Sequence, residues 1–165
     1  MIEVQIESVR ISLMSPNQVV ILKEITGNRR LPVFIGKPEG DAITFKLNQM
    51  ASPRPLTHEL TASLIEGLGV PIERVLVREL RDDHFFASIF LRGEGGEVEI
   101  DARASDALAV AVHVSCPIFV ADDVMSSAGV IPPTDESNTD DLGAFDDFIR
   151  SLDLDDLSDT GPNND

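Results

Sequence analysis

The chain has 165 residues, 42% of them hydrophobic, and a net charge of −16. Its length suits one domain with a proper core, and no apolar run approaches the ~20 residues that a bilayer-spanning helix needs. Residues 135–165 hold 11 acidic side chains and one basic one, Arg150, so the charge is concentrated in a tail, and a field of that sign repels phosphate backbones unless a basic patch or a metal reverses it.

The first strand is predicted over 2–13, where Ile2, Val4 and Ile6 alternate and the phase then shifts to Val9, Ile11 and Leu13. A bulge near Ser8 accounts for the shift, because one extra residue exchanges the two faces. Strands over 18–25 and 31–35 follow, separated by TGNRR, and complete an antiparallel meander. Helical spacing begins at Pro38 and runs to Met50. After Pro53 and Pro55, Thr57 is predicted to cap a helix that ends at Leu68, with Gly69 just beyond it and Leu60, Leu64, Ile65 and Leu68 on the core face. A second three-stranded meander is predicted over 71–80, 84–92 and 97–102, with turns at RDD and GEGG. Ser105 is predicted to cap a short apolar helix over 106–114, followed by a buried strand at 118–121 and a last short helix at 122–128.

These elements predict an α+β fold: a mixed, mainly antiparallel sheet built from two three-stranded meanders, with three to four short helices. The domain is predicted over 1–130. Residues 131–165 form an acidic linker and tail in which Leu142, Phe145, Ile149 and Leu152 mark a short amphipathic helix at about 140–152. That helix suits docking on its own domain or a sister subunit, or capture of a protein partner. A homo-oligomer is expected from the strand edges and the apolar tail face. Cys116 is alone and cannot form an internal disulfide, which suits a reducing, cytoplasmic setting, and beside Pro117 it is expected to be buried and inert.

Several chemistries leave no trace. No glycine-rich phosphate loop, zinc-spaced Cys/His cluster or GxSxG elbow is present. What remains is charge where the chain turns. In RPLTH (54–58), Arg54 stands between two prolines and His58 lies in a first helical turn, where the helix dipole favours a neutral imidazole able to act as base or ligand. In DARASDA (101–107), Asp101, Arg103, Ser105 and Asp106 lie between a strand end and a helix start, whose free N–H groups suit anions. Asp101 and Asp106 could bind Mg²⁺ or Mn²⁺ and activate water, and Arg54 and Arg103 could hold a phosphate with Ser105 beside them. The same residues could equally lock the junction through internal salt bridges. His84, His113, Lys37 and Glu39 have weaker claims, and with no Trp or Tyr any base-stacking surface must use Phe, His or Arg.

The blocks FIGKPEGDAI (34–43), RPLTHEL (54–60), ELRDDHFFASIFL (79–91), VEIDARASDALAVAV (98–112) and CPIFVADDV (116–124) together resemble the bifunctional nuclease family. The resemblance covers roughly residues 1–130. It departs at Ala104, where the family usually has Pro, and at Gly40, where it usually has Glu or Asp. It implies hydrolysis of phosphodiester bonds in RNA and DNA. On the residues argued above, His58, Asp101 and Asp106 would be catalytic, Asp101 and Asp106 the metal ligands, and Arg54, Arg103 and Ser105 the substrate contacts. The alternative is a non-enzymatic regulatory or scaffold domain that binds a small anion or a protein.

Overall fold

The phase change in the first strand is a single bulged residue. In β1 (Ile2–Ile11), paired antiparallel with β2 (Gln18–Glu24), Ile6 faces Leu22 and Ser8 faces Ile21, so Glu7 is the extra residue. Its carboxylate receives the Arg30 guanidinium at 2.7 Å, and that hydrogen bond holds its pKa below the ordinary value. β3 (Arg30–Ile35) completes the first meander against β2. The structure is a computed structural model and describes residues 1–11, 17–50 and 52–132. The amphipathic helix expected at about 140–152 lies outside them.

The second meander comprises β4 (Ile72–Arg81), β5 (His84–Gly93) and β6 (Gly96–Arg103). β7 (Ile118–Val120) joins the two meanders, running antiparallel to β1 and parallel to β4. The result is one seven-stranded sheet in the order β3-β2-β1-β7-β4-β5-β6, mixed and mainly antiparallel as expected.

Four helices complete the described residues: α1 (Lys37–Leu47), α2 (Thr57–Gly67), α3 (Ala104–Val114) and α4 (Asp122–Ala128). α3 is the buried one. Ala104, Ala107, Leu108, Ala109, Val110 and Ala111 are all inaccessible or nearly so, and the small side chains let both α1 and α2 lie close against it. The core joins this helix to Val20, Leu22 and Val33 of the first meander and to Val75, Val77 and Ala87 of the second. Cys116 is only partly buried, less than expected, and burial pushes its thiol pKa up to about 11. Residues Met1–Ile131 make one compact unit.

Two expectations about α2 are corrected. Thr57 is not its cap: Leu56 holds the extended N-cap position, and no side chain caps the helix. Ser105 likewise sits inside α3, whose uncapped N-cap is Arg103. Most of the apolar stripe of α2 also faces outward. Leu60, Leu64 and Leu68 are 50%, 61% and 79% exposed, whereas Ile65 is half-buried on the side of Ala62, the residue of α2 buried against the core. Helical periodicity defines a stripe, but tertiary packing decides which side is covered, and here the Ala62 side is. The end of α2 follows the sequence signal: Gly69 has φ +72, and the N–H groups of Gly69 and Val70 return to Glu66 and Ile65 in a Schellman pattern.

Candidate functional site

Arg103 is the hub of the polar junction. It ends β6 and begins α3, so its side chain leaves the sheet where the first α3 N–H groups are uncapped. Its Nε donates to Asp106 Oδ2 at 2.7 Å and its Nη2 to Asp106 Oδ1 at 2.9 Å. Nη2 also donates to Glu39 Oε1 at 2.7 Å, reaching the first turn of α1. His58 Nε2 stands 3.0 Å from Asp106 Oδ1. Asp106 is an acceptor there, so the imidazole donates from Nε2 and keeps Nδ1 as its second polar atom. One carboxylate thus binds the starts of α2 and α3, and through Arg103 the start of α1.

The electrostatics keep the hub charged. Burial acts to raise the Asp106 pKa, but the hydrogen bonds from Arg103 and His58 outweigh it, and the net shift is downward. Asp106 and Glu39, through their hydrogen bonds, push the Arg103 pKa further above its already high value. Arg103 Nη1 makes no hydrogen bond among the described residues and remains available to a ligand.

A cleft of about 400 Å³ opens beside the hub, between the end of β3, the start of β5, the end of β6 and the start of α3. Asp101, Arg103 and Ser105 line it, joined by Asp83, His84 and Phe86. The structure thus brings together three of the six site residues singled out in the sequence. His58 and Asp106 stand behind Arg103 and are not part of the cleft wall. Arg54 is exposed and makes no hydrogen bond or ion pair among the described residues. Asp101, in the cleft wall, pairs with Arg78 of β4 instead of joining Asp106.

Two cleft or hub residues carried little signal in sequence. Glu39 reaches Arg103 across 64 residues, which only the fold supplies. His84 follows the tight turn between β4 and β5, where Asp82 and Asp83 both have positive φ, as in a type I′ turn. Its Nδ1 contacts the Asp82 carbonyl. A carbonyl only accepts, so Nδ1 carries the proton and Nε2 is left free.

A side chain at position 40 would meet a buried neighbour in this chain. A Cβ there would stand 2.0 Å from Gln18 Oε1. Gln18 is 3% exposed and donates from Nε2 to Asp41 at 3.0 Å, so its side chain fills the space that a larger residue 40 would need.

Residues 20–133 match the bifunctional nuclease domain family. The chain belongs to that family. Two proteins of Mycobacterium tuberculosis, uncharacterized protein MT1877 and uncharacterized protein Rv1829, are each 33% identical over 165 residues, covering 96% of this chain and 99% of their own. Bifunctional nuclease 1 of Arabidopsis thaliana is 24% identical over 110 residues, which span 64% of this chain and 34% of that protein. Among the described residues no helix is long and apolar enough to cross a membrane.

Proposed function

We propose that this bifunctional nuclease domain hydrolyses phosphodiester bonds of RNA and DNA at the cleft beside Arg103. The observation that carries this reading is Arg103 itself. Asp106 and Glu39 fix it, and it keeps one free Nη1 at an uncapped helix N-terminus in an open cleft. A phosphate there would meet a guanidinium, the first N–H groups of α3 and the Ser105 hydroxyl, which are the donors that stabilise charge on a phosphoryl oxygen.

Hydrolysis adds water across the P–O bond. The water oxygen attacks phosphorus, a base takes its proton, and the leaving oxygen gains one. His58, expected from the sequence as that base, enters the proposal with Asp106 as the pair that orients Arg103, its Nδ1 being the atom open to a proton. His84, with a free Nε2 in a ring on the cleft wall, has the more direct access. Asp101 is exposed and held by a surface ion pair that costs little to open, so it fits a hydrated Mg²⁺ or Mn²⁺. Asp106 fits that role less well, because its two oxygens already accept three hydrogen bonds. A divalent ion at Asp101 would activate water and offset the acidic field. Among the described residues no three His, Cys, Asp or Glu side chains cluster as a ligand set, and a mostly hydrated Mg²⁺ does not need one.

A cytoplasmic setting and self-association complete the proposal. The lone, partly buried Cys116 supports the first and the exposed stripe of α2 the second. The test is release of nucleotides from RNA and single-stranded DNA by the purified full chain with Mg²⁺ or Mn²⁺. Arg103→Ala and Asp101→Ala should each lower the rate about 100-fold or more. Activity that persists at full rate in both variants comes from a contaminant and sinks the proposal.

One observation favours a second reading. Arg103, Asp106, Glu39 and His58 satisfy one another, as a purely architectural junction would. Under that reading the cleft holds a small anion and cleaves nothing. Wild-type protein that binds an oligonucleotide through Arg103 but releases no nucleotide with either metal would select it.

A further inference from the structure

Three side chains from three adjacent strands form a row on one face of the sheet. Phe86 of β5 lies directly opposite Arg103 of β6 in the antiparallel register, so the two side chains share a face and their Cβ atoms are about 5 Å apart. On the other flank, the Arg81 guanidinium of β4 lies over the Phe86 ring at 4.5 Å from its centroid. Phe86 and Arg103 both line the cleft.

The Arg81 stack differs from the other one on this sheet. Arg74 also covers a ring, Phe90, at 3.9 Å, but Glu97 grips both its terminal nitrogens and its side chain is 26% exposed. Arg81 makes no hydrogen bond among the described residues. Its nearest carboxylate, Glu79, is 3.7 Å away, and its side chain is 59% exposed. The guanidinium carbon thus sits over an aromatic ring while more than half of the side chain is open to solvent. The chain has no Trp or Tyr, so a guanidinium backed by Phe is the kind of platform it has available. Bases stack on arginine planes as well as on rings.

We infer that the Arg81–Phe86 stack is a subsite for one unpaired nucleobase, that of the nucleotide whose phosphate rests on Arg103. This rests on the nuclease reading above and narrows its substrate to single strands. A base held in a duplex presents no free face to the platform. An abasic strand keeps the phosphates and loses the stacking.

Binding of labelled oligothymidylate, an abasic strand of equal length and a duplex to the full chain, followed by fluorescence anisotropy with Ca²⁺ in place of Mg²⁺ or Mn²⁺, separates these contributions. Wild type should bind oligothymidylate more tightly than the other two. Arg81→Ala should weaken that binding about five- to 100-fold, the range for loss of one stacked base, and leave the abasic strand within about twofold. Arg81→Lys keeps the charge and loses the plane, so it should recover little. Phe86→Leu, which keeps the apolar wall, should lose part of the preference. Full affinity in Arg81→Lys, equal weakening of both strands in Arg81→Ala, or no change in either variant overturns the subsite and leaves the nuclease reading intact. Wild-type protein that binds none of the three probes overturns both.

Discussion

His58 Nε2 and Asp106 Oδ1 lie 3.0 Å apart across 48 residues of sequence and tie the first turn of α2 to the first turn of α3. Asp106 must be ionised to hold both this imidazole and Arg103. Its pKa is lowered on folding, so it stabilises the fold above the unfolded value of about 4. That contribution is lost as pH falls through the lower folded value. Urea midpoints measured from pH 7 down to pH 3 should therefore decline more steeply in wild type than in Asp106→Asn, which should start lower at neutral pH. Equal slopes below pH 4 would mean that other carboxylates carry the acid sensitivity. In the nuclease assay the same variant should lose rate with little change in KM if Asp106 only orients Arg103.

Gly40 is expected to be intolerant of a side chain for a reason confined to its neighbour. Gly40→Ala places a methyl group against buried Gln18 and should destabilise the protein by about 1–3 kcal/mol, the usual cost of overpacking. Gln18→Ala in the same chain removes the obstruction, so the double variant should be more stable than the sum of the two single losses. Additive losses in a denaturant double-mutant cycle would show that the two residues do not compete for one space.

The reversed face of α2 gives an equally direct pair of variants. Leu64→Lys changes an exposed residue and should alter stability by less than about 0.5 kcal/mol. Ala62→Leu forces bulk between α2 and its neighbours and should cost about 1–3 kcal/mol. If Leu64 supports self-association, its lysine variant should also sediment as a smaller species at the same concentration.

α2 also shows where sequence reading stops. The strands were legible because alternation and turn residues are local: the bulge at Glu7 and both meanders follow from residues near one another. β7 has only three residues, and its role as the seam between β1 and β4 depends on partners distant in the chain. The same division runs through the site. Arg103 and Asp106 are three residues apart and could be paired from sequence, whereas Glu39 and His58 join them only through the packing of α1 and α2 on α3. Asp101 looked like a companion of Asp106, yet it lies one strand period back from Arg103 along β6, opposite Ser88, and there β4 offers it Arg78. Thr57 and Ser105 carried strong capping signals, but each lies within its helix, after the extended Leu56 or Arg103.

The turn between β4 and β5 stores strain that can be released without touching the cleft's hydrogen bonds. Asp82 and Asp83 adopt φ +49 and +58, a conformation that costs a residue with a Cβ about 1–2 kcal/mol. Two-residue turns of this kind favour Asn followed by Gly. The double substitution Asp82→Asn with Asp83→Gly should therefore stabilise the protein by about 1 kcal/mol, after allowing for the extra freedom glycine gives the unfolded chain. The melting temperature should rise by a few degrees. The carbonyl of residue 82 remains, so the His84 Nδ1 contact and its free Nε2 are kept. Removing two carboxylates beside the cleft should also tighten oligonucleotide binding, more at low salt than at high salt. A lower melting temperature would show that the Asp side chains stabilise the turn by local hydrogen bonds, and unchanged binding at low salt would show that their charge does not reach the cleft.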